Sequence, residues 1–123
     1  MMDRYISAEA LVCTLNPQRP VSCIRPEAAH HAAQYFLKNF TGHTLYAVKT
    51  NPHPYLLKVL YQSGISQFDV ASLSEVALVR EILPRAEINF LHPIKNRAAI
   101  ERAYYDYDVR SFAFDSVAEL EKI

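Results

Sequence analysis

The stretch FDVASLSEV, residues 68 to 76, decides the fold class because it carries the end of one element and the start of the next. Its first four residues are an apolar run around one aspartate, as in a buried strand. Ser72 and Glu75 then form an S-x-x-E capping box, which marks the start of a helix. Nearly the same letters recur as FAFDSVAEL at residues 112 to 120. A repeated succession of strand, cap and helix predicts βα units that build a parallel sheet.

Apolar runs of this kind recur from Thr44 onward at intervals of about 20 residues, enough for one strand, one helix and two short loops. Upstream, Val21 to Arg25 is predicted to be a short strand and Pro26 to Phe40 a helix that begins at its proline. Residues 1 to 20 contain two further prolines and are predicted to be irregular. The predicted strands of the repeat are Thr44 to Val48, Gln67 to Ala71, Glu87 to Leu91 and Arg110 to Phe114.

Strands of this type fit either a doubly wound sheet or the first half of a (β/α)₈ barrel, and periodicity does not separate the two. The chain has only two glycines, Gly42 and Gly64, so it lacks the G-x-G-x-x-G turn of dinucleotide-binding doubly wound domains. We therefore predict an α/β fold that is half of a barrel. The residues expected to face the barrel interior are Leu45, Ala47, Phe90 and Phe112.

The composition excludes several classes of partner. Thirteen basic residues balance thirteen acidic ones, so no excess positive charge is available to bind nucleic acid or an anionic membrane. No apolar run approaches the roughly 18 residues of a spanning helix. Cys13 and Cys23 are spaced unlike a metal or redox pair and are typical of free thiols. We expect a cytoplasmic protein that binds a small molecule and no metal.

Lys49 is the candidate reactive residue. Side chains alternate along a strand, so Lys49 is predicted to be the last inward residue of the strand that starts at Leu45. A lysine at the carboxyl end of a barrel strand, among apolar neighbours, loses its charge more readily and can form an imine with an aldehyde. If Asp69 faces inward on the next strand, it lies roughly 5 Å away. The pair forms either a plain salt bridge or part of a reactive site.

Four motifs along the chain resemble those of barrel-type pyridoxal-phosphate enzymes. YAVKTN, residues 46 to 51, is similar to the YAVKxN motif of the alanine-racemase-like superfamily. FDVAS with Glu75 resembles the FDxAS..E segment of ornithine and lysine decarboxylases. HPIK, residues 92 to 95, resembles their NPxK, and FDSVAEL, residues 114 to 120, resembles their FDS..EL. The resemblance covers about residues 20 to 123.

This resemblance implies pyridoxal 5'-phosphate as the cofactor and the amino-terminal half of an alanine-racemase-like TIM barrel as the fold. Lys49 would carry the cofactor aldehyde, and Asp69 would help to set the protonation of the imine, so both are predicted to be catalytic. Ala47 would leave room for the pyridine ring. Glu75 is a further candidate for cofactor binding, although its role in the capping box is by itself a sufficient reason for a glutamate at this position.

The resemblance also implies how the chain is organised. Residues 1 to 25 would be associated with a carboxyl-terminal β domain, and residues 26 to 123 would form the first half of the barrel. The last predicted helix begins at Ser116 and stops after two turns, so we expect the chain to be part of a longer protein. The partner of the ring nitrogen, the phosphate cradle and the acid would then lie in later residues, partly across a homodimer interface.

The implied function is decarboxylation of ornithine or lysine to a diamine, in polyamine biosynthesis. His92 stands where many relatives have asparagine, and Thr50 where others have cysteine or alanine, so the choice of substrate stays open. Two other functions remain. One is a pyridoxal-phosphate carrier on a similar barrel, and the other is a non-catalytic regulatory homologue like the antizyme inhibitors.

Overall fold

Four short parallel strands lie side by side in chain order, and each is followed by a helix. The computed structural model describes residues 3–123. The strands are β1 (Leu45–Ala47), β2 (Gln67–Val70), β3 (Glu87–Phe90) and β4 (Ser111–Phe112). The helices are α1 (Ala8–Leu15), α2 (Pro26–Asn39), α3 (Pro54–Gln62), α4 (Leu73–Ile82), α5 (Arg97–Tyr105) and α6 (Val117–Leu120), and a 3₁₀ turn, Val48–Thr50, directly follows β1.

The strand order separates the two candidate architectures. A doubly wound sheet reverses its strand order and carries helices on both faces. Here the pairing runs β1-β2-β3-β4 without reversal, and side chains of α3, α4 and α5 share one core with a single face of the sheet. The prediction of a half barrel is confirmed, and each of its four strands lies within its predicted bounds.

The hydrophobic core lies between the sheet and these helices. Phe68 and Phe90 are almost fully buried in it. Pairing places Val70, Phe90 and Phe112 in one register, so all three side chains point to the helices. The prediction that Phe90 and Phe112 face the barrel interior is therefore wrong, because alternation along β3 gives the interior position to Asn89 instead.

The opposite face of the sheet carries polar groups. Asp69, Asn89 and Ser111 lie in register on β2, β3 and β4, and Ala47 continues the same row on β1. Neighbouring strands are about 4.8 Å apart, so these four side chains form a continuous row across the sheet. Leu45 and Ala47 lie on this face, as predicted.

Two predictions for the amino-terminal segment are wrong. Residues 8 to 15 form α1 rather than an irregular stretch, because Ser7 caps the helix by accepting the Ala10 N–H at 3.1 Å. Residues 21 to 25 form no strand, since they do not pair with β1, the outer strand of the sheet. Helix α2 begins at Pro26 as predicted. The expectation for residues 1 and 2 lies outside the described residues.

The capping box after β2 orders the turn that leads into α4. Ser72 Oγ accepts the Glu75 N–H at 3.3 Å, and Glu75 Oε2 accepts the Ala71 N–H at 2.7 Å. We expect Ser72→Ala to cost about 1 kcal/mol, because it leaves a helix N–H without its acceptor. Thermal unfolding of the full-length protein measures this. Ser66→Ala, at an exposed position outside the helices, is the control, and equal melting temperatures for both variants would contradict the expectation.

No helix within residues 3–123 combines the length and the apolar character needed to cross a membrane. Cys13 and Cys23 are both exposed and free. In the same part of the chain, no three histidine, cysteine or acidic side chains are grouped as a metal ion would require.

Candidate active site

The candidate site lies on what we call the rim, the turns that directly follow the four strands: residues 48 to 50, 71 to 72, 91 to 95 and 113 to 115. Parallel strands bring their carboxyl ends to one edge, so these turns are neighbours although they are far apart in sequence. The rim contains Lys49 and His92, and Asp69 on β2 and Glu75 at the start of α4 lie directly next to it. It is therefore the part of the chain where a reactive constellation is expected.

Lys49 lies on the rim but not in a strand. β1 ends at Ala47, and Lys49 is the middle residue of the 3₁₀ turn Val48–Thr50. Val48 is fully buried, whereas Lys49 is exposed. The prediction of a strand residue held among apolar neighbours is thus wrong in its local structure, because the chain tightens into a turn one residue earlier. The amine is accessible, which an attack on an aldehyde requires.

Asp69 lies on β2 in register with Ala47, two residues before Lys49. Its side chain is half-buried. Burial raises the pKa of Asp69, and the nearby carboxylate of Glu75 raises it further. The positive charges of Lys49 and His92 and a hydrogen bond from the backbone of Leu91 lower the same pKa, but they do not cancel the rise. The predicted inward position of Asp69 is found, and its predicted part in catalysis stays a prediction.

A plain salt bridge does not describe this pair. The ion pairs found within residues 3–123 involve none of the rim groups near Asp69. Asp69 and Lys49 therefore interact through space, without a direct contact that would occupy the amine. A carboxyl group that is partly desolvated and close to a free amine is typical of reactive sites.

Glu75 takes the structural role that its capping box predicted. One carboxylate oxygen accepts the Ala71 N–H, and the Glu75 N–H is bound to Ser72 Oγ. The side chain is therefore held at the start of α4. Its charge still contributes to the raised pKa of Asp69, so it influences the site from this position.

Asn89 belongs to the site but was not predicted. It lies beside Asp69 in the interior row, it is only 6% exposed, and its Nδ2 has no acceptor among residues 3–123. A buried donor without a partner is costly and rare in folded proteins. The available signal was a polar letter at an inward position of the run EINFL.

Lys95 was also not predicted to have a role on the rim. It is 4% exposed, and its ammonium donates to the carbonyl oxygens of His92 at 2.7 Å, of Pro93 at 2.9 Å and of Ala113. The only sequence signal was its place in the HPIK motif. His92 itself is exposed on the same turn.

The arrangement fits an aldehyde cofactor in three respects. The amine of Lys49 is accessible, Ala47 leaves free space on the inward face, and Asn89 presents an unused donor in the same row. An amine of this kind can bond to an aldehyde carbon. Residues 3–123 thus place an accessible amine and a half-buried carboxylate near the same edge of the sheet.

Comparison with known proteins gives a family match over residues 26–123, to the model described as "Pyridoxal-dependent decarboxylase, pyridoxal binding domain". The chain is 37% identical over 79 residues to a lysine/ornithine decarboxylase of Selenomonas ruminantium, covering 63% of the chain and 20% of that protein. It is 38% identical over 79 residues to human antizyme inhibitor 2, covering 63% of the chain and 17% of that protein.

The chain also matches solved structures of decarboxylases. The structure of a lysine/ornithine decarboxylase from Vibrio vulnificus, complexed with putrescine, superposes with a TM-score of 0.76 at 32% sequence identity. The match covers 96% of the chain and 34% of that structure. The chain thus spans about a fifth of the length of the curated relatives that it matches.

Proposed function

Because the chain belongs to the pyridoxal-dependent decarboxylase family and carries its pyridoxal-binding domain, we propose that the full-length protein decarboxylates ornithine or lysine to a diamine, in polyamine biosynthesis. The observation that carries this proposal is the accessible Lys49 amine beside the half-buried Asp69 on the rim. Identities of 37% and 32% to lysine/ornithine decarboxylases support a basic amino acid as the substrate.

The residues of this chain have distinct tasks in that reaction. Lys49 anchors pyridoxal 5'-phosphate, and Ala47 leaves room for its ring. Asp69 is near enough to Lys49 for the two charges to interact, and in this proposal it sets the protonation of the Lys49 nitrogen electrostatically. Glu75 keeps the start of α4 in place and acts on Asp69 only through its charge. The cofactor, when bound, supplies the electron sink that makes loss of the carboxylate possible.

Further parts of the site lie outside residues 1 to 123 in this proposal. They are the group that binds the ring nitrogen, the cradle for the phosphate, and the acid that protonates the product. We further propose that residues 1 to 25 associate with a carboxyl-terminal β domain, that residues 26 to 123 form the first half of the barrel, and that the protein is a cytoplasmic homodimer.

The test is an assay of the full-length protein with pyridoxal phosphate, following carbon dioxide and diamine from ornithine and from lysine separately. Release of putrescine or cadaverine supports the proposal and identifies the substrate. A protein that binds the cofactor but releases no carbon dioxide from ornithine or lysine contradicts the proposed substrate, and the carrier function is supported if arginine is not decarboxylated either. A protein that binds no cofactor but binds an antizyme is a regulatory homologue, the alternative that the 38% identity to antizyme inhibitor 2 favours.

Asp69→Ala in the full-length protein is expected to lower turnover at least about tenfold, because it removes the carboxylate beside the Lys49 amine. We expect little loss of stability, since Asp69 forms no ion pair within residues 3–123. Turnover and melting temperature are measured together. Normal activity combined with a lower melting temperature would assign Asp69 a purely structural role.

The pH dependence of the free energy of unfolding provides a second test of the Asp69→Ala variant. Burial raises the pKa of Asp69 above its ordinary value of 3.8, so the folded protein binds this proton more tightly than the unfolded one. The stability that Asp69 contributes is present below pH 3.8 and is lost as the pH rises through the raised pKa. In the cofactor-free protein, Asp69→Ala should therefore gain stability relative to wild type as the pH rises through that window.

A further inference from the structure

The rim carries two lysines in opposite states. Lys49 is exposed, whereas Lys95 is buried and binds three carbonyl oxygens. Its ammonium also lies over the ring of Phe90, 5.8 Å from the centroid. All of these partners belong to β3, to the turn after it or to the turn after β4. Lys95 therefore joins two neighbouring segments of the rim.

The contacts require the charged form of Lys95. Three acceptors need three N–H donors, which an ammonium has and a neutral amine has not. Burial lowers the pKa of Lys95, while the charges of Glu119 and Asp115 raise it and that of Lys122 lowers it. Glu119 also accepts the Lys95 backbone N–H at 3.3 Å, which places a compensating negative charge close by. Lys95 thus acts as an internal cation.

This cation extends the pairing of two strands beyond the end of the sheet. β4 has only two residues, and the N–H of Ala113 donates to the carbonyl of Phe90 at 3.2 Å just past it. The next acceptors, the carbonyls of Ala113 and His92, meet on the Lys95 ammonium. One side chain therefore takes the place of the next backbone hydrogen bonds and fixes the turn that carries His92.

We propose that Lys95 is a positioning residue, an internal cation that joins the turn after β3 to the turn after β4 and so fixes the backbone that carries His92. The inference rests on the proposed function, because it concerns the carboxylate of that site. The charged groups that face Asp69 are Lys49, Glu75 and His92. Of these three residues, only His92 lies on a turn that Lys95 binds, since Lys49 is in the 3₁₀ turn after β1 and Glu75 is in the cap of α4.

The first test measures the pKa of Asp69 by carbon NMR of its carboxyl group in the cofactor-free, full-length protein. Lys95→Met removes the ammonium and keeps a side chain of similar size. The His92 charge lowers the pKa of Asp69, so freeing that turn should move the pKa upward. Lys58→Met, an identical change at an exposed position of α3, is the control and should leave it unchanged.

A purely structural role would lower the melting temperature of Lys95→Met without moving the Asp69 titration, and that result would overturn the proposal. Should Lys95→Met fail to fold, Lys95→Gln retains two N–H donors and is measured in the same way. With either variant, an Asp69 pKa equal to that of wild type counts against the positioning role.

The second test uses Lys49→Ala, which changes an exposed side chain. Pyridoxal phosphate and borohydride are added to the full-length variant, and its peptides are mapped. Lys95 should carry no label, because its three protons are engaged. Label on Lys95 would overturn its assignment as an internal cation. If wild type takes up no cofactor, the proposed function fails, whereas the NMR titration still decides the role of Lys95.

Discussion

Lys49→Ala is expected to abolish covalent attachment of pyridoxal phosphate and to lower decarboxylation by the full-length protein on the order of 10³-fold or more. The reason is the accessibility of its amine. Lys49 is exposed on the turn after β1, and it is the rim lysine whose amine is not bound to carbonyl groups. The charge of Lys49 lowers the pKa of Asp69, so the two side chains interact electrostatically.

Borohydride reduction of the wild-type protein, followed by peptide mapping, identifies the labelled lysine. Turnover is measured for Lys49→Ala and for its matched control, Lys58→Ala. Lys58→Ala, which removes an exposed lysine from α3, should retain the covalently attached cofactor and the activity of wild type. The other lysines of the chain are Lys38, Lys58, Lys95 and Lys122. Label on any of these, or on none, would refute the assignment of Lys49.

The chain of 123 residues, taken by itself, is expected to show no decarboxylase activity and to associate. The outer edges of β1 and β4 are unpaired in the sheet of residues 3–123, and unpaired edges template pairing with other chains. Apolar side chains near the end of the sheet are also exposed, Val117 at 71% and Phe114 at 53%. Burial of these edges and side chains drives the association. The interior row that contains Asp69 and Asn89 is polar, so it does not contribute to that driving force.

Light scattering gives the molar mass, and an assay with ornithine and lysine gives the turnover. We expect a mass of at least twice the 14.1 kDa of one chain, or a mixture of larger species. A monomer with a cooperative unfolding transition and measurable decarboxylation would contradict both the incomplete barrel and the assignment of essential groups to later residues.

Local signals in the sequence were sufficient for the four strands and for the starts of α2, α4 and α6. The capping box at Ser72 predicted the start of α4, and the apolar runs predicted all four strands. Each of these signals depends on neighbours within about four residues, so it is readable without the fold. The predicted succession of parallel strands also placed Lys49 and Asp69 near one edge of the sheet, while their roles in catalysis stay predictions.

Local signals failed where a structure depends on a partner that is distant in sequence. Residues 21 to 25 have the letters of a strand but do not pair with the outer strand β1. The strand order without reversal, which distinguishes a barrel from a doubly wound sheet, is a property of pairing between strands and not of any one of them.

The tertiary structure alone decided which face each strand side chain takes and which lysine is free. Pairing with Val70 placed Phe90 among the helices and left Asn89 on the interior row. The carbonyl of Ala113, eighteen residues after Lys95, completes the site that keeps that ammonium charged. The sequence by itself determined the elements and the rim where they end, because those follow from local periodicity and capping. The state of each rim residue depends on desolvation and on hydrogen-bond partners brought together only by folding.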